Sequence, residues 1–175
     1  MPFQPNHLSV LGIIHTAISV LALFAAFYAL FKEGKINPLS GPGKLYVLLT
    51  VITCLTALPI MKTGHFTAAH GVAVIILVLL PVGVYAGRIL KKNGDYLQVI
   101  AMSTTMVLSC IPAVVETLTR LPISHPIANG PADPFLTMCL NVLFALYLTG
   151  LVYQIVKIRS RKKAAKTADS SVKLT

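Results

Sequence analysis

A chain of 175 residues that is 55% hydrophobic and only 11% charged falls well below the roughly 25% charge usual in soluble domains. That balance excludes a water-soluble globular domain and indicates a membrane protein. The formal charge of +10 would suit nucleic acid, but the cations flank or follow apolar runs. No basic patch is interleaved with base-stacking aromatics, so nucleic acid is not a partner this sequence predicts.

Spanning the hydrocarbon takes roughly 20 apolar residues, within a range of about 17–25. Five runs meet that requirement, at about 8–31, 45–61, 68–87, 97–115 and 135–156. The fold class predicted is an all-α integral membrane bundle of five transmembrane helices, occupying residues 1–156. The first run follows "MPFQPNH", a flank without Lys or Arg, and is too long for a signal core, so it reads as a retained helix. The second is the shortest, and a four-span arrangement would make it re-entrant or tilted. Pro59 and Pro81 are expected to bend the helices that contain them.

Connections differ sharply in charge. Lys32, Lys35 and Lys44 surround the first, and Arg88, Lys91 and Lys92 the third. Lys157, Arg159, Arg161, Lys162, Lys163, Lys166 and Lys173 follow the last run, so these three regions hold 13 of the 15 cations. Alternate connections hold only Lys62 and Arg120. The positive-inside rule then predicts an outside N-terminus and a cytoplasmic C-terminus. The tail at 157–175 is expected to be disordered or to lie against anionic lipid headgroups. The fourth connection, "TRLPISHPIANGPADP", has four prolines and is expected to form an extended, stiff strap.

On that topology all five histidines gather at the outer face. His7, His65 and His125 lie in flanks or loops, while His15 and His70 lie in the outer halves of the first and third spans. His15 is the most deeply placed ionisable residue, roughly 10 Å below the boundary at ~1.5 Å per residue. Such a group normally faces the bundle interior with a partner. Its helix face, Gly12, His15, Ser19, Ala22 and Ala26, is a small-residue stripe suited to close helix contact. Groups of comparable depth are Thr53 or Cys54, Ser109 and Asn141, the last able to fix the His15 tautomer by hydrogen bonding. Glu116 and Arg120 are four apart on one helix face and can pair.

Two functional readings follow. In the first, an outward-facing polar site binds haem b or a divalent metal for redox or carrier work. His15 and His70 would be axial ligands, with Arg120 near the propionates and Asn141 orienting a ring. A metal would instead take His15, His70 and Glu116. In the second, the chain is a non-catalytic accessory or assembly subunit of a membrane complex, and the polar residues only hold helices together. A small-solute transporter and a metal-dependent membrane enzyme stand behind these.

The plainer explanations are specific too. "TGHFTAAHG" (residues 63–71) is a natural helix exit and lacks the Glu of a zincin helix. Glu116–Arg120 suits a surface pair at a helix end, and His15 an interhelical hydrogen bond. "SGPGKLY" lacks phosphate-loop spacing, and no GxSxG elbow occurs. Cys54, Cys110 and Cys139 fall inside apolar runs, form no CxxC pair and read as small apolar fillers.

The stretches "GIIHTAISVLALFAAFYAL", "TGHFTAAHG" and "ETLTRLP" together resemble uncharacterised multi-pass bacterial inner-membrane proteins, over the chain up to about residue 156. The resemblance implies a bacterial inner membrane and no particular activity.

Overall fold

The computed structural model describes residues 9–60, 66–122 and 124–172, and every regular element among them is helical. Helices α1 (Val10–Glu33) and α2 (Gly41–Ala57) form a hairpin. Helix α3 (Ala68–Val84) and the short α4 (Ala86–Leu90) lead through a 3-10 turn into α5 (Gly94–Arg120), and α6 (Pro134–Val172) follows. Three stretches, α1, Ala86–Arg120 and α6, are long and apolar enough to cross a membrane. Helices α2 and α3 are shorter, with 17 residues each. Seventeen residues rise about 25 Å, a little less than the ~30 Å hydrocarbon core.

Local chemistry sets the boundaries. The Ser9 hydroxyl accepts from the Gly12 N–H at 3.1 Å, which starts α1. Gly34, at φ +71°, ends it, and its N–H donates to the Leu30 carbonyl. That left-handed residue satisfies an orphan carbonyl at no Cβ cost. Ser40 caps α2 in the same way as Ser9 caps α1, with proline in the first turn. Pro59 was expected to bend a helix but lies beyond its end, because α2 stops at Ala57. Leu58 keeps helical dihedrals, but Pro59 has no N–H to donate to the carbonyl four residues back, so the helical ladder ends there. Pro81 does lie inside α3, as does Pro112 inside α5.

The basic tail departs from the sequence expectation of an irregular segment, since α6 continues helical through Val172. The run from Arg161 to Lys166 consists of Lys, Arg and Ala, all strong helix formers, with no Gly or Pro to stop it. A tertiary tie adds to propensity. Lys162 donates to the Lys92 carbonyl, lies 3.4 Å from Asp95 and sits 4.7 Å above the Tyr96 ring. Asp95 is also 3.9 Å from Lys35, whose ammonium donates to Gln98 Oε1 at 3.2 Å. The three basic regions therefore share one end of the bundle.

The proline-rich connection is not an extended strap. The Ile127 N–H donates to the Leu121 carbonyl at 3.1 Å and the Ala128 N–H to the Leu118 carbonyl at 2.9 Å, folding the loop back on α5. Ala128 is buried there. Asp133 then caps α6: its Oδ1 accepts from the Phe135 N–H and its Oδ2 from the Asn129 N–H, both at 2.9 Å. Pro134 follows in the first helical position, where a missing N–H costs nothing.

Alanines line the core around a few large side chains, and most phenylalanines lie outside. Ala25, Ala26, Ala29 and Ala73 pack around Tyr46, Ile76, Leu80 and Met102, whereas Phe24 is 66% and Phe31 85% exposed. Lipid is as apolar as Phe, so only close packing and polar contacts favour helix association, and small residues permit both. Gly83 shows how close the approach is, because a Cβ there would stand 2.6 Å from Met102 Sδ. Helix α1 packs on α2, α3 packs on α2 and α5, and the apolar part of α6 packs on α5.

Candidate functional site

The residues singled out from sequence occupy several separate places. His15, half-buried on α1, faces α2. Its Nδ1 lies 3.1 Å from the Thr53 carbonyl and 3.1 Å from Thr56 Oγ1. A carbonyl only accepts, so Nδ1 carries the proton and the lone pair resides on Nε2. Thr56 already donates to the Ile52 and Thr53 carbonyls, at 2.9 and 3.0 Å, which leaves its oxygen free to accept from His15. The predicted small stripe accompanies this contact, with Gly12, Ala22 and Ala26 buried.

His70 has the opposite tautomer. It occupies the third position of α3 and reaches back to the cap residue Thr67, whose N–H donates to Nδ1 at 3.1 Å. The Thr67 hydroxyl stands 2.8 Å from the same nitrogen. An N–H cannot accept, so Nδ1 holds a lone pair and the neutral ring keeps its proton on Nε2. That Nε2 is buried and has no hydrogen-bond partner among the described residues. Phe66 packs beside the ring at a centroid distance of 4.8 Å.

Asn141 is not a partner of His15. It lies on the exposed side of α6, a helix that packs on α5 and not on α1. Glu116 and Arg120 do pair, as their spacing predicts, along the last turns of α5. His125 is exposed in the folded-back loop, where its N–H donates to the Pro122 carbonyl at 3.1 Å. His7 and His65 lie outside the described residues. Cys54 and Cys110 are buried free thiols and Cys139 is half-buried.

The proposed cofactor ligands can be tested against this chemistry. A haem- or metal-ligating imidazole presents a lone pair on one nitrogen while its other N–H donates to a carbonyl, carboxylate or water. His15 has that tautomer. His70 does not, and ligation through its Nε2 would require the α3 cap to be broken. Among the described residues no three His, Cys, Asp or Glu side chains form a group able to hold a metal. The axial pair His15 and His70 and the trio His15, His70 and Glu116 therefore do not fit the groups proposed for them.

A different polar set does come together, inside the bundle. Ser103, Thr104 and Thr105 are consecutive in α5, so their hydroxyls splay about 100° apart and each meets a residue of another helix. Ser103 donates to Gln154 of α6 at 3.0 Å. Thr104 donates to its own Ile100 carbonyl, so the Tyr147 hydroxyl 2.8 Å away donates to it. The buried Tyr46 hydroxyl of α2 donates to Thr105 at 2.9 Å, and Thr105 passes its own proton to the Met102 carbonyl at 2.9 Å. Three adjacent hydroxyl residues in an apolar run were the available sequence signal, and they escaped notice because none is ionisable. The contacts to Gln154, Tyr147 and Tyr46 each fasten α5 to another helix.

No protein-family model, curated protein or solved structure matches the chain.

Proposed function

We propose that this chain is a non-catalytic assembly subunit of a bacterial inner-membrane complex, with five spans, its N-terminus outside and its C-terminus in the cytoplasm. One observation carries the reading. Helix α6 has 6% of its apolar window buried, against 22% for α1 and 28% for Ala86–Arg120. A helix that contributes so little to its own bundle is suited to packing against another membrane helix.

The inward-facing polar residues favour the same conclusion. His15, Tyr46 and Ser103 direct their hydrogen bonds to neighbouring helices, as expected of a scaffold. The orientation draws support from the shared end of the three basic regions, tied through Lys35, Asp95 and Lys162. Arg159, Arg161, Lys163 and Lys166 are exposed there and would meet anionic lipid headgroups.

A lipid-phase carbene probe, activated in native membranes and mapped by mass spectrometry, tests the reading. Leu21 and Phe24 of α1 are expected to be labelled strongly and the 141–149 stretch of α6 weakly. Equal labelling of the two would remove the assembly role. The haem or metal carrier retains one favourable observation, the His15 tautomer. A Soret band, or stoichiometric metal, in the purified protein would restore that reading.

A further inference from the structure

We infer that α6 seats against α6 of a second copy of this chain, with Asn141 hydrogen-bonded to its symmetry mate. The inference rests on the assembly reading and names the partner. Asn141 lies seven residues past Pro134, roughly 10 Å along the helix at ~1.5 Å per residue, and so within the hydrocarbon when α6 spans. It is exposed and makes no hydrogen bond within the described residues. Four other polar side chains in the apolar part of α6 are satisfied inside the chain. Thr137 and Thr149 donate to the carbonyls of Asp133 and Ala145, while Tyr147 and Gln154 face α5. Asn141 alone would present an unpaired carboxamide to lipid, and polar side chains at that depth ordinarily face a protein partner.

Geometry selects a copy of the same chain. All copies insert the same way, so two α6 helices meet in parallel and equal residues stand at equal depth. A carboxamide both donates and accepts, so Asn141 and its mate form reciprocal bonds across a two-fold axis, as an isologous interface requires. The residues continuing the ridge at four-residue intervals, Ala145 and Thr149, are small and exposed, which allows the backbones to approach closely. Among the described residues the apolar part of α6 packs on α5, and its ridge of Asn141, Ala145 and Thr149 is exposed.

Cysteine cross-linking tests this in membranes containing the full chain. With Cys139→Ala removing the half-buried thiol of α6, Ala145→Cys is expected to oxidise to a species of twice 18.8 kDa, since a disulfide needs Cα atoms within about 7 Å. Leu143→Cys, about 160° round the helix from both Asn141 and Ala145 and half-buried, should not. Adding Asn141→Leu should lower the Ala145→Cys yield at least tenfold, whereas Asn141→Gln should keep most of it. Absence of a self-cross-link at 145, or a yield indifferent to Asn141→Leu, overturns the dimer. If cross-linking fails while the 141–149 stretch stays shielded from the carbene probe, the dimer is wrong and the assembly reading stands. Failure of both ends both.

Discussion

His15 on α1 and Asn141 on α6 both lie between about one and two turns into a membrane-length helix, and the chain treats them in opposite ways. His15 faces α2 and divides one N–H between a carbonyl and a hydroxyl. Asn141 faces away from α5 and finds nothing within the described residues. On the proposed topology, depth sets the need for a partner, and packing decides whether the partner belongs to the same chain. In the α1–α2 hairpin the need is met internally, and α6 leaves it open.

The comparison breaks most readily at a contact that is wholly internal. Gly83→Leu would drive a side chain into Met102, already 2.6 Å from a bare Cβ, with Met102 fully buried. Overpacking of this kind costs about 1–3 kcal/mol, read as a lower unfolding midpoint in detergent. The outward counterpart, Ala145→Leu, should leave the midpoint of the detergent-solubilised monomer within about 0.5 kcal/mol. A matching loss at 145 would place that position inside the fold and erase the contrast.

A subtler test uses the two polar residues themselves. His15→Ala removes a hydrogen bond between α1 and α2, and such bonds in membranes are worth about 0.6 kcal/mol on average and up to about 2. It also leaves a small void. We expect a measurable destabilisation of about 1 kcal/mol, whereas Asn141→Leu should leave monomer stability unchanged or slightly raised. Thermal unfolding of both variants under dissociating detergent conditions decides the matter, and equal losses would contradict the internal and external division.

Much of this arrangement was legible in the sequence, and the reasons for the remainder are physical. Helical class and the positions of the apolar runs follow from length and hydropathy, which local solvent preference imposes. Three membrane-length helices and two shorter ones lie where the five runs were read. The stripe of Gly12, Ala22 and Ala26 was readable because small residues at helical spacing have one use in lipid. The sequence places Asn141 at the depth of His15 but not beside it, because depth carries no information about which helices are neighbours. The tautomers of His15 and His70 depend on single hydrogen bonds to a carbonyl and an N–H, which no spacing rule can announce. Of the two expectations for the tail, disorder and contact with headgroups, the helix to Val172 departs from the first, because Lys, Arg and Ala favour helix wherever one has already begun.

The smallest effect expected lies at the start of α6, where the exposed side of that helix begins. Asp133 accepts from the backbone N–H groups of Asn129 and Phe135, and these bonds hold its carboxyl below the ordinary value of 3.8. They favour the charged form, so the folded chain binds this proton less readily than the unfolded chain. The stabilisation is therefore fully present above the ordinary aspartate range and is lost as pH falls through the depressed folded value. Since the group is exposed, the consequence is local fraying of the first turn. In an amide proton titration, the Phe135 and Asn129 signals should move together, with a midpoint below 3.8. Asp133→Asn should abolish that movement without changing the unfolding midpoint near neutral pH by much. A shared midpoint at or above the ordinary value would mean that the cap is not formed.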